Sequence, residues 1–143
     1  MVTLNWEGLD ELMDAIEHIS KVPADVVEEA LTKMEDIAAE EIRQSGERYG
    51  VRDPESNVHI LDKIKKGKPK VTEDGGSARI SFSGSRKRGN KRVSNGYIAF
   101  VNEYGKRNQQ ARPFVSEAID RNSERIVKAG VKIISDWMEK EFK

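Results

Sequence analysis

The chain has 143 residues, and 25 Lys+Arg balance 25 Asp+Glu, so the formal net charge is zero. This length fits a single domain covering 1–143. The absence of cysteine excludes a disulfide framework, a thiolate metal site and a cysteine nucleophile. No apolar run approaches the roughly 18–20 residues that span a bilayer, and no signal-peptide pattern opens the chain. We therefore expect a soluble protein that folds in the cytoplasm and has no membrane contact.

The neutral total conceals two oppositely charged parts. Between Ile60 and Arg112 the sequence has 14 Lys/Arg and 4 Asp/Glu, a net charge of +10, so the remainder carries −10. A basic part of this kind is typical of an anion-binding surface, or of a subunit edge that meets an acidic edge on a neighbour. Composition alone leaves both interpretations open.

The first predicted elements are helices. Val2 to Trp6 is a short edge strand or an extended arm. Apolar residues then recur at the spacing of one helical face, which predicts a first helix through Leu9, Leu12, Met13, Ile16 and Ile19. After Pro23 a longer helix is predicted from Ala24 to Ser45, with Gly46 and Gly50 as stop signals.

A short helix or turn at Ile60 to Ile64 precedes a predicted β-hairpin. Its strands, Lys70–Glu73 and Ala78–Ser83, flank Asp74-Gly75-Gly76, whose glycines permit the positive φ of a tight turn. The following segment, Gly84–Gly96, is basic and glycine-rich and has no apolar anchor. We expect it to be a long mobile hairpin loop.

The run from Tyr97 to Tyr104 is apolar on both faces and predicts the central strand. Gly105–Gln110 reads as a loop, and a last helix starts near Pro113 and continues almost to the end, with Gly130 as a kink or a point of close approach. This order predicts an α+β fold. Its small antiparallel sheet has three to four strands, with N-terminal helices and a long C-terminal helix packed on it.

Catalytic and metal-binding patterns are weak. His18 and His59 have no ligand spacing to each other, so we predict no metal site. Gly84–Lys91 lacks the Lys-Ser/Thr step that a phosphate-binding loop needs after its second glycine. Glu103 is either a catalytic carboxylate or the structural partner of an arginine such as Arg112, and no base or nucleophile accompanies it. We predict a protein that is not an enzyme and has no cofactor.

Seven cations are the candidate interaction residues: Arg86, Lys87, Arg88, Lys91, Arg92, Lys106 and Arg107. They suit a subunit interface, and they also suit the phosphates of a nucleic acid. No recognition-helix pattern accompanies them, and no aromatic residue interleaves the basic loop as a stacking platform. Non-specific nucleic-acid binding through the loop 85–92 is therefore the alternative to a subunit contact.

The C-terminal half carries a further pattern. Residues 97–106 read YIAFVNEYGK, and after a polar loop 110–115 read QARPFV, before a helix containing Ala118. This combination resembles the head–tail joining, or tail-completion, proteins of long-tailed bacteriophages and prophages, also described as minor tail or neck proteins. In that family an aromatic-rich strand ends in Glu-aromatic-Gly, and an Arg-Pro-Phe or Pro-Phe step opens the C-terminal helix. The matching residues here are Tyr97, Phe100, Glu103, Tyr104, Gly105, Arg112, Pro113 and Phe114. Lys106 departs from the family, which often has Thr at that place.

The resemblance implies a structural virion-assembly subunit that forms a ring homo-oligomer, with a hexamer as the expected size. The ring would contact other neck or tail proteins, and DNA would pass through its lumen. Expected locations are the bacterial host cytoplasm during assembly and then the virion neck or tail. In such a ring the basic part Ile60–Arg112 and the acidic helices would meet as complementary subunit edges, and the loop Gly84–Gly96 would become ordered on assembly.

Overall fold

The computed structural model describes residues 2–5, 22–51, 59–72 and 75–141. These residues form a mixture of helices and short strands in the order β1 (Val2–Asn5), α1 (Ala24–Arg48), a 3-10 helix (Ile60–Lys63), β2 (Ile64–Lys66), β3 (Lys70–Thr72), β4 (Gly75–Phe82), β5 (Ser85–Arg88), β6 (Lys91–Ser94), α2 (Asn95–Tyr104) and α3 (Phe114–Glu141). The helix predicted through Leu9 to Ile19 lies outside the described residues. No helix in the described ranges is long and apolar enough to cross a bilayer.

Strand β4 is the centre of a four-stranded antiparallel sheet. β1 pairs along one edge of β4, while β2 and β3 pair one after the other along the opposite edge. β5 and β6 form a separate two-stranded sheet. The α+β prediction with a small antiparallel sheet is therefore confirmed, and so is the β3–β4 hairpin, although β4 begins at Gly75 rather than Ala78.

Helix α1 supplies the centre of the core, and it extends past the predicted stop to Arg48. Its fully buried apolar residues recur every three or four positions: Val27, Ala30, Leu31, Met34, Ala38 and Ile42. α3 packs along α1 and runs without interruption through Gly130, where an added Cβ would lie 2.9 Å from Met34 Cγ. Gly130 thus admits a close neighbour, one of the two roles predicted for it.

The two long helices run antiparallel. Near the end of α1, the Tyr49 hydroxyl donates to the Glu117 carboxylate at the start of α3. Further back along α1, Glu41 pairs with Arg125 at 2.6 Å. The start of α1 therefore lies toward the end of α3, at the far end of the helix pair from this contact.

The run from Tyr97 to Tyr104 is helix α2, so the predicted central strand is wrong. Its first turn is capped by Ser94, whose hydroxyl accepts the Tyr97 N–H at 3.1 Å, and Gly105 follows its last residue. The buried residues recur at helical spacing: Asn95, Ala99, Asn102 and Glu103. An apolar run this short does not distinguish a strand from a helix, and here the cap and the helical pattern of burial outweigh the β-propensity of Tyr, Ile, Phe and Val.

The segment Gly84–Gly96 is not a long loop, so that prediction is also wrong. β5 and β6 form a hairpin closed by the two-residue turn Gly89-Asn90. Gly89 has φ 61° and Asn90 has no positive φ, the pattern of a type II′ turn. Because the strands are charged rather than alternately apolar, hydrophobic periodicity did not reveal them.

Candidate functional site

The hairpin β5–β6, called the basic hairpin below, is anchored to α2 through Asn95, which is fully buried. The Asn95 Nδ2 donates to the Ser83 carbonyl at 2.8 Å, and its Oδ1 accepts the Arg86 Nε–H at 3.2 Å. Its backbone N–H donates to the Gly84 carbonyl at 3.0 Å. These bonds fix the direction in which the hairpin leaves β4. The residue pattern did not predict this role of Asn95; an Asn-Gly pair directly before an apolar run is the signal that points to it.

The cations of the basic hairpin have different surroundings. Arg86 is half-buried against Asn95, and the Arg92 Nε–H donates to Ser85 Oγ at 2.8 Å. Lys87 and Lys91 are exposed, and their side chains make no hydrogen bond or ion pair with any residue of the described chain. Arg86 is therefore partly structural, whereas the two lysines are available to a partner.

The strand register places like charges opposite each other. Lys87 faces Arg92, and Arg88 faces Lys91, across the hairpin. Like charges directly opposite in an antiparallel pair destabilise it. An anionic partner would relieve this repulsion, so the basic hairpin has the electrostatics of a binding element.

Glu103 caps helix α3. Its Oε2 accepts the Val115 N–H at 2.9 Å, and its Oε1 accepts the Ser116 N–H at 3.0 Å together with the Ser116 hydroxyl. Pro113 directly precedes α3, and its carbonyl accepts the Glu117 N–H, but it has no side-chain acceptor. The N–H groups at the start of α3 are therefore bound by Glu103, which belongs to α2. A carboxylate is also favoured at this end of the helix dipole.

Arg112 is not the partner of Glu103, so that predicted pairing is wrong. The Arg112 backbone N–H donates to the Asn102 carbonyl at 2.5 Å, and its guanidinium makes a long contact of 3.5 Å to the Gly50 carbonyl. Arg112 thus lies against the ends of α1 and α2 rather than folding back onto Glu103.

Gly105 and Phe114 complete the junction between α2 and α3. Gly105 has φ 77°, and an added Cβ would lie 2.8 Å from the Gln109 carbonyl oxygen and 2.9 Å from the Ala111 nitrogen. Phe114 is fully buried and meets Phe82 of β4 edge-on, with ring centroids 6.0 Å apart. Gly105 thus turns the chain sharply after α2, and Phe114 packs against the sheet.

The three aromatic residues of the same motif are exposed. Tyr97, Phe100 and Tyr104, called the aromatic face below, have exposed fractions of 58%, 55% and 68%. The rings of Phe100 and Tyr104 contact each other with centroids 4.8 Å apart. The predicted strand would have buried most of them, so this surface was missed. Because α2 directly follows β6, the aromatic face starts next to the base of the basic hairpin.

A cleft of about 340 Å³ is lined by residues of β5, α2 and the turn after α2. Its described lining combines the cations Arg86, Arg88, Lys106 and Arg112 with the amides Asn102, Asn108 and Gln109. The apolar residues of the lining are Val51, Ile60 and Ile98. No carboxylate, histidine or hydroxyl group belongs to the part of the lining that the structure describes. The cleft brings together three of the predicted interaction residues, Arg86, Arg88 and Lys106. The other four, Lys87, Lys91, Arg92 and Arg107, are exposed outside it.

A buried carboxylate lies away from these surfaces, in α1. Burial, together with the neighbouring Asp36, raises the pKa of Glu35 to about 7, and Lys66 opposes this increase. Lys66 itself pairs with Asp36 at 2.7 Å. Within the described ranges, no three His, Asp or Glu side chains converge as metal ligands. His59 is described and His18 is not.

Residues 75–116, called the cationic region below, contain nine Lys/Arg and a single carboxylate, Glu103, which is buried. Their surface therefore exposes cations, aromatic rings and amides but no carboxylate. Comparison with protein-family models, with curated proteins and with solved structures finds no match to this chain. The candidate functional site is accordingly defined by the chain's own residues: the basic hairpin, the aromatic face and the cleft.

Proposed function

We propose that this chain is a structural assembly subunit of a long-tailed phage or prophage. It joins head to tail by ring-forming self-association and by contacts to neighbouring neck or tail proteins. The observation that carries the proposal is the cationic region, which exposes no carboxylate although the whole chain has zero net charge. The balancing negative charge therefore lies elsewhere on the same chain.

Helix α1 holds much of that negative charge, with 8 Asp/Glu against 3 Lys/Arg over Ala24–Arg48. A basic surface on one copy and an acidic surface on the next attract each other and set their relative orientation. Contacts between two different surfaces close into rings or continue as filaments. A ring at the neck of a virion is an assembly of the first kind.

The sequence motif supports the same proposal. Glu103, Gly105 and Phe114 build the junction between α2 and α3, so the residues that resemble the tail-completion family have a shared structural role in this chain.

The test of this proposal is assembly. Purified protein at increasing concentration is expected to form rings in negative-stain electron microscopy and a defined oligomer by light scattering. In a host producing the phage, Lys87→Glu with Lys91→Glu is expected to leave unjoined heads and tails. Both lysines are exposed, so the fold is expected to survive, whereas Arg86 holds Asn95 and is unsuited to charge reversal.

The matched control is Lys128→Glu with Lys140→Glu, which reverses two exposed charges on α3. This variant is expected to yield normal particles. A normal yield of infectious particles from the hairpin variant would contradict the assembly role of the basic hairpin.

Non-specific nucleic-acid binding is the second candidate, and one structural observation favours it. The basic hairpin is a two-stranded ribbon, which a DNA major groove can admit, and the adjacent tyrosines can stack on unpaired bases. Gel-shift assays with a generic duplex and with a single strand at about 50 mM salt test it, since phosphate-driven affinity falls steeply as salt rises. Absence of any shift at this salt removes the candidate.

A further inference from the structure

We infer that the aromatic face of α2 docks onto the first turns of α1 in a second copy of the chain. The inference rests on the proposed self-association and names the contact that produces it. It is carried by the exposure of the aromatic face, by carboxylates that pair with no residue of the described chain, and by the positions of the two surfaces at opposite ends of the helix pair.

The aromatic face has the composition of an interface core. Phe100 has no polar atom in its side chain, yet it is more than half exposed and touches Tyr104. Lys106 and Arg107, which follow Tyr104 along the chain, are exposed at its edge. Aromatic residues surrounded by cations are typical of the centre and rim of protein interfaces.

The first turns of α1 have the complementary composition. Asp25, Glu28 and Glu29 make no ion pair with any residue of the described chain. Most other carboxylates of α1 already have cationic or amide partners: Asp36 with Lys66, Glu40 with Arg43, and Glu41 with Arg125 and Asn122. Pro23 and Ala24 are exposed beside these three carboxylates and offer apolar surface to an aromatic ring.

Charge and hydrogen bonding match across this contact. The carboxylates can pair with Lys106 and Arg107, and the hydroxyl groups of Tyr97 and Tyr104 can donate to them. The aromatic rings would then cover the exposed Pro23 and Ala24.

The two surfaces cannot meet within one chain. α1 has 25 residues, and at about 1.5 Å per residue it is roughly 37 Å long. Its end and α2 both attach near the start of α3, through Tyr49–Glu117 and Glu103–Val115 respectively. The first turns of α1 lie at the far end of the helix pair, so a second copy must supply them, and the contact is head-to-tail.

A complementation experiment tests this contact. Phe100→Ser with Tyr104→Ser removes the aromatic face, and Glu28→Lys with Glu29→Lys removes the acidic turns. Each variant alone is expected to self-associate at least about tenfold more weakly than the wild type. An equimolar mixture is expected to form a one-to-one heterodimer and no larger species, because each partner keeps one intact surface. Sedimentation velocity measures both quantities, and circular dichroism checks the fold.

Charge reversal gives an independent measurement if the serine variant fails to fold. Lys106→Glu with Arg107→Glu is expected to abolish association, and adding Glu28→Lys with Glu29→Lys to the same chain is expected to restore it. Asp120→Lys with Glu124→Lys, two exposed carboxylates of α3, is the control and is expected to assemble as the wild type does.

Each outcome decides between the inferences. If the wild type assembles and the variants assemble equally well, or if their mixture stays monomeric, this contact is wrong while self-association stands. If the wild type is monomeric at every concentration, both are wrong. If a monomeric wild type binds single-stranded DNA and the serine variant does not, the aromatic face serves nucleic acid and the docking inference is overturned.

Discussion

Glu35 is the buried carboxylate of helix α1, and Glu35→Gln is expected to change how the stability of the protein depends on pH. The side chain is only 3% exposed, and its Oε2 has no hydrogen-bond partner among the described residues. Burial first, and then the charge of Asp36, raises the pKa of Glu35 from 4.5 to about 7, while Lys66 opposes the increase. Water solvates the ionised form in the unfolded chain, but the core does not.

The sign and size of the effect follow from this difference in pKa. Between pH 4.5 and about 7 the folded chain holds a proton on Glu35 that the unfolded chain has released. The resulting stabilisation is fully present below pH 4.5 and is lost as the pH rises through about 7. Because one pKa unit corresponds to about 1.4 kcal/mol, the loss across this window is about 3 kcal/mol.

Urea denaturation of the wild type and of Glu35→Gln at several pH values between about 4.5 and 8 measures the effect. The stability of the variant relative to the wild type is expected to rise by about 3 kcal/mol across this range. Other carboxylates titrate in both proteins and cancel in the difference. Glu40 stays ionised in the folded protein over the whole range, because hydrogen bonds from Arg43 and Gln44 lower its pKa to about 2.

The matched control is Glu124→Gln, which removes an exposed carboxylate from α3. It is expected to differ from the wild type by no more than about 0.5 kcal/mol at every pH. A difference between the wild type and Glu35→Gln that stays constant over the whole range would refute the reasoning, because it would mean that Glu35 has the same pKa in both states.

Three further substitutions test the structure around α2. Glu103→Ala leaves the Val115 and Ser116 N–H groups without their acceptor, and it is expected to cost about 2 kcal/mol in denaturant unfolding. Gly105→Ala is expected to cost about 2 kcal/mol more than Gly50→Ala in the same assay. Both glycines have positive φ, but only at Gly105 would the added Cβ meet the backbone. Asn95→Ala is expected to cost about 2 kcal/mol and to increase amide exchange in β5 and β6 before the rest of the protein, and unchanged exchange there would contradict its role as the anchor.

The long helices and the β3–β4 hairpin were predictable because their signals are local. In α1 and α3 the apolar residues recur with helical period over many turns, so the face that packs can be identified from spacing alone. The β3–β4 hairpin has residues that alternate along β4, although Gly75 and Gly76 lie in this strand rather than in the predicted turn. The helix ends were not predictable in this way: α1 continues past Gly46 because that glycine packs against Leu61 rather than ending the helix.

The short elements were not predictable in the same way. Tyr97–Tyr104 has strand-forming residue types but folds as α2, because Ser94 caps it and one face packs on the core. Gly84–Gly96 is a hairpin held by Asn95 rather than by apolar side chains of its own. Both outcomes depend on contacts with other elements, which residue periodicity does not record.

The candidate site likewise has features that local sequence predicts and features that only contacts between distant segments produce. Charge is a property of composition, so the residue order alone reveals that a basic part and an acidic part share one neutral chain. It also identifies the cations and the motif around Glu103 and Gly105. The surface that each of them forms depends on tertiary contacts. Glu103 caps α3 instead of pairing with Arg112, and the aromatic face points outward, because α2 packs its opposite side against the core. Packing and hydrogen bonding between distant segments determine which side of each helix is buried. For this reason the aromatic run, predicted as a core strand, forms an exposed surface that can bind a partner.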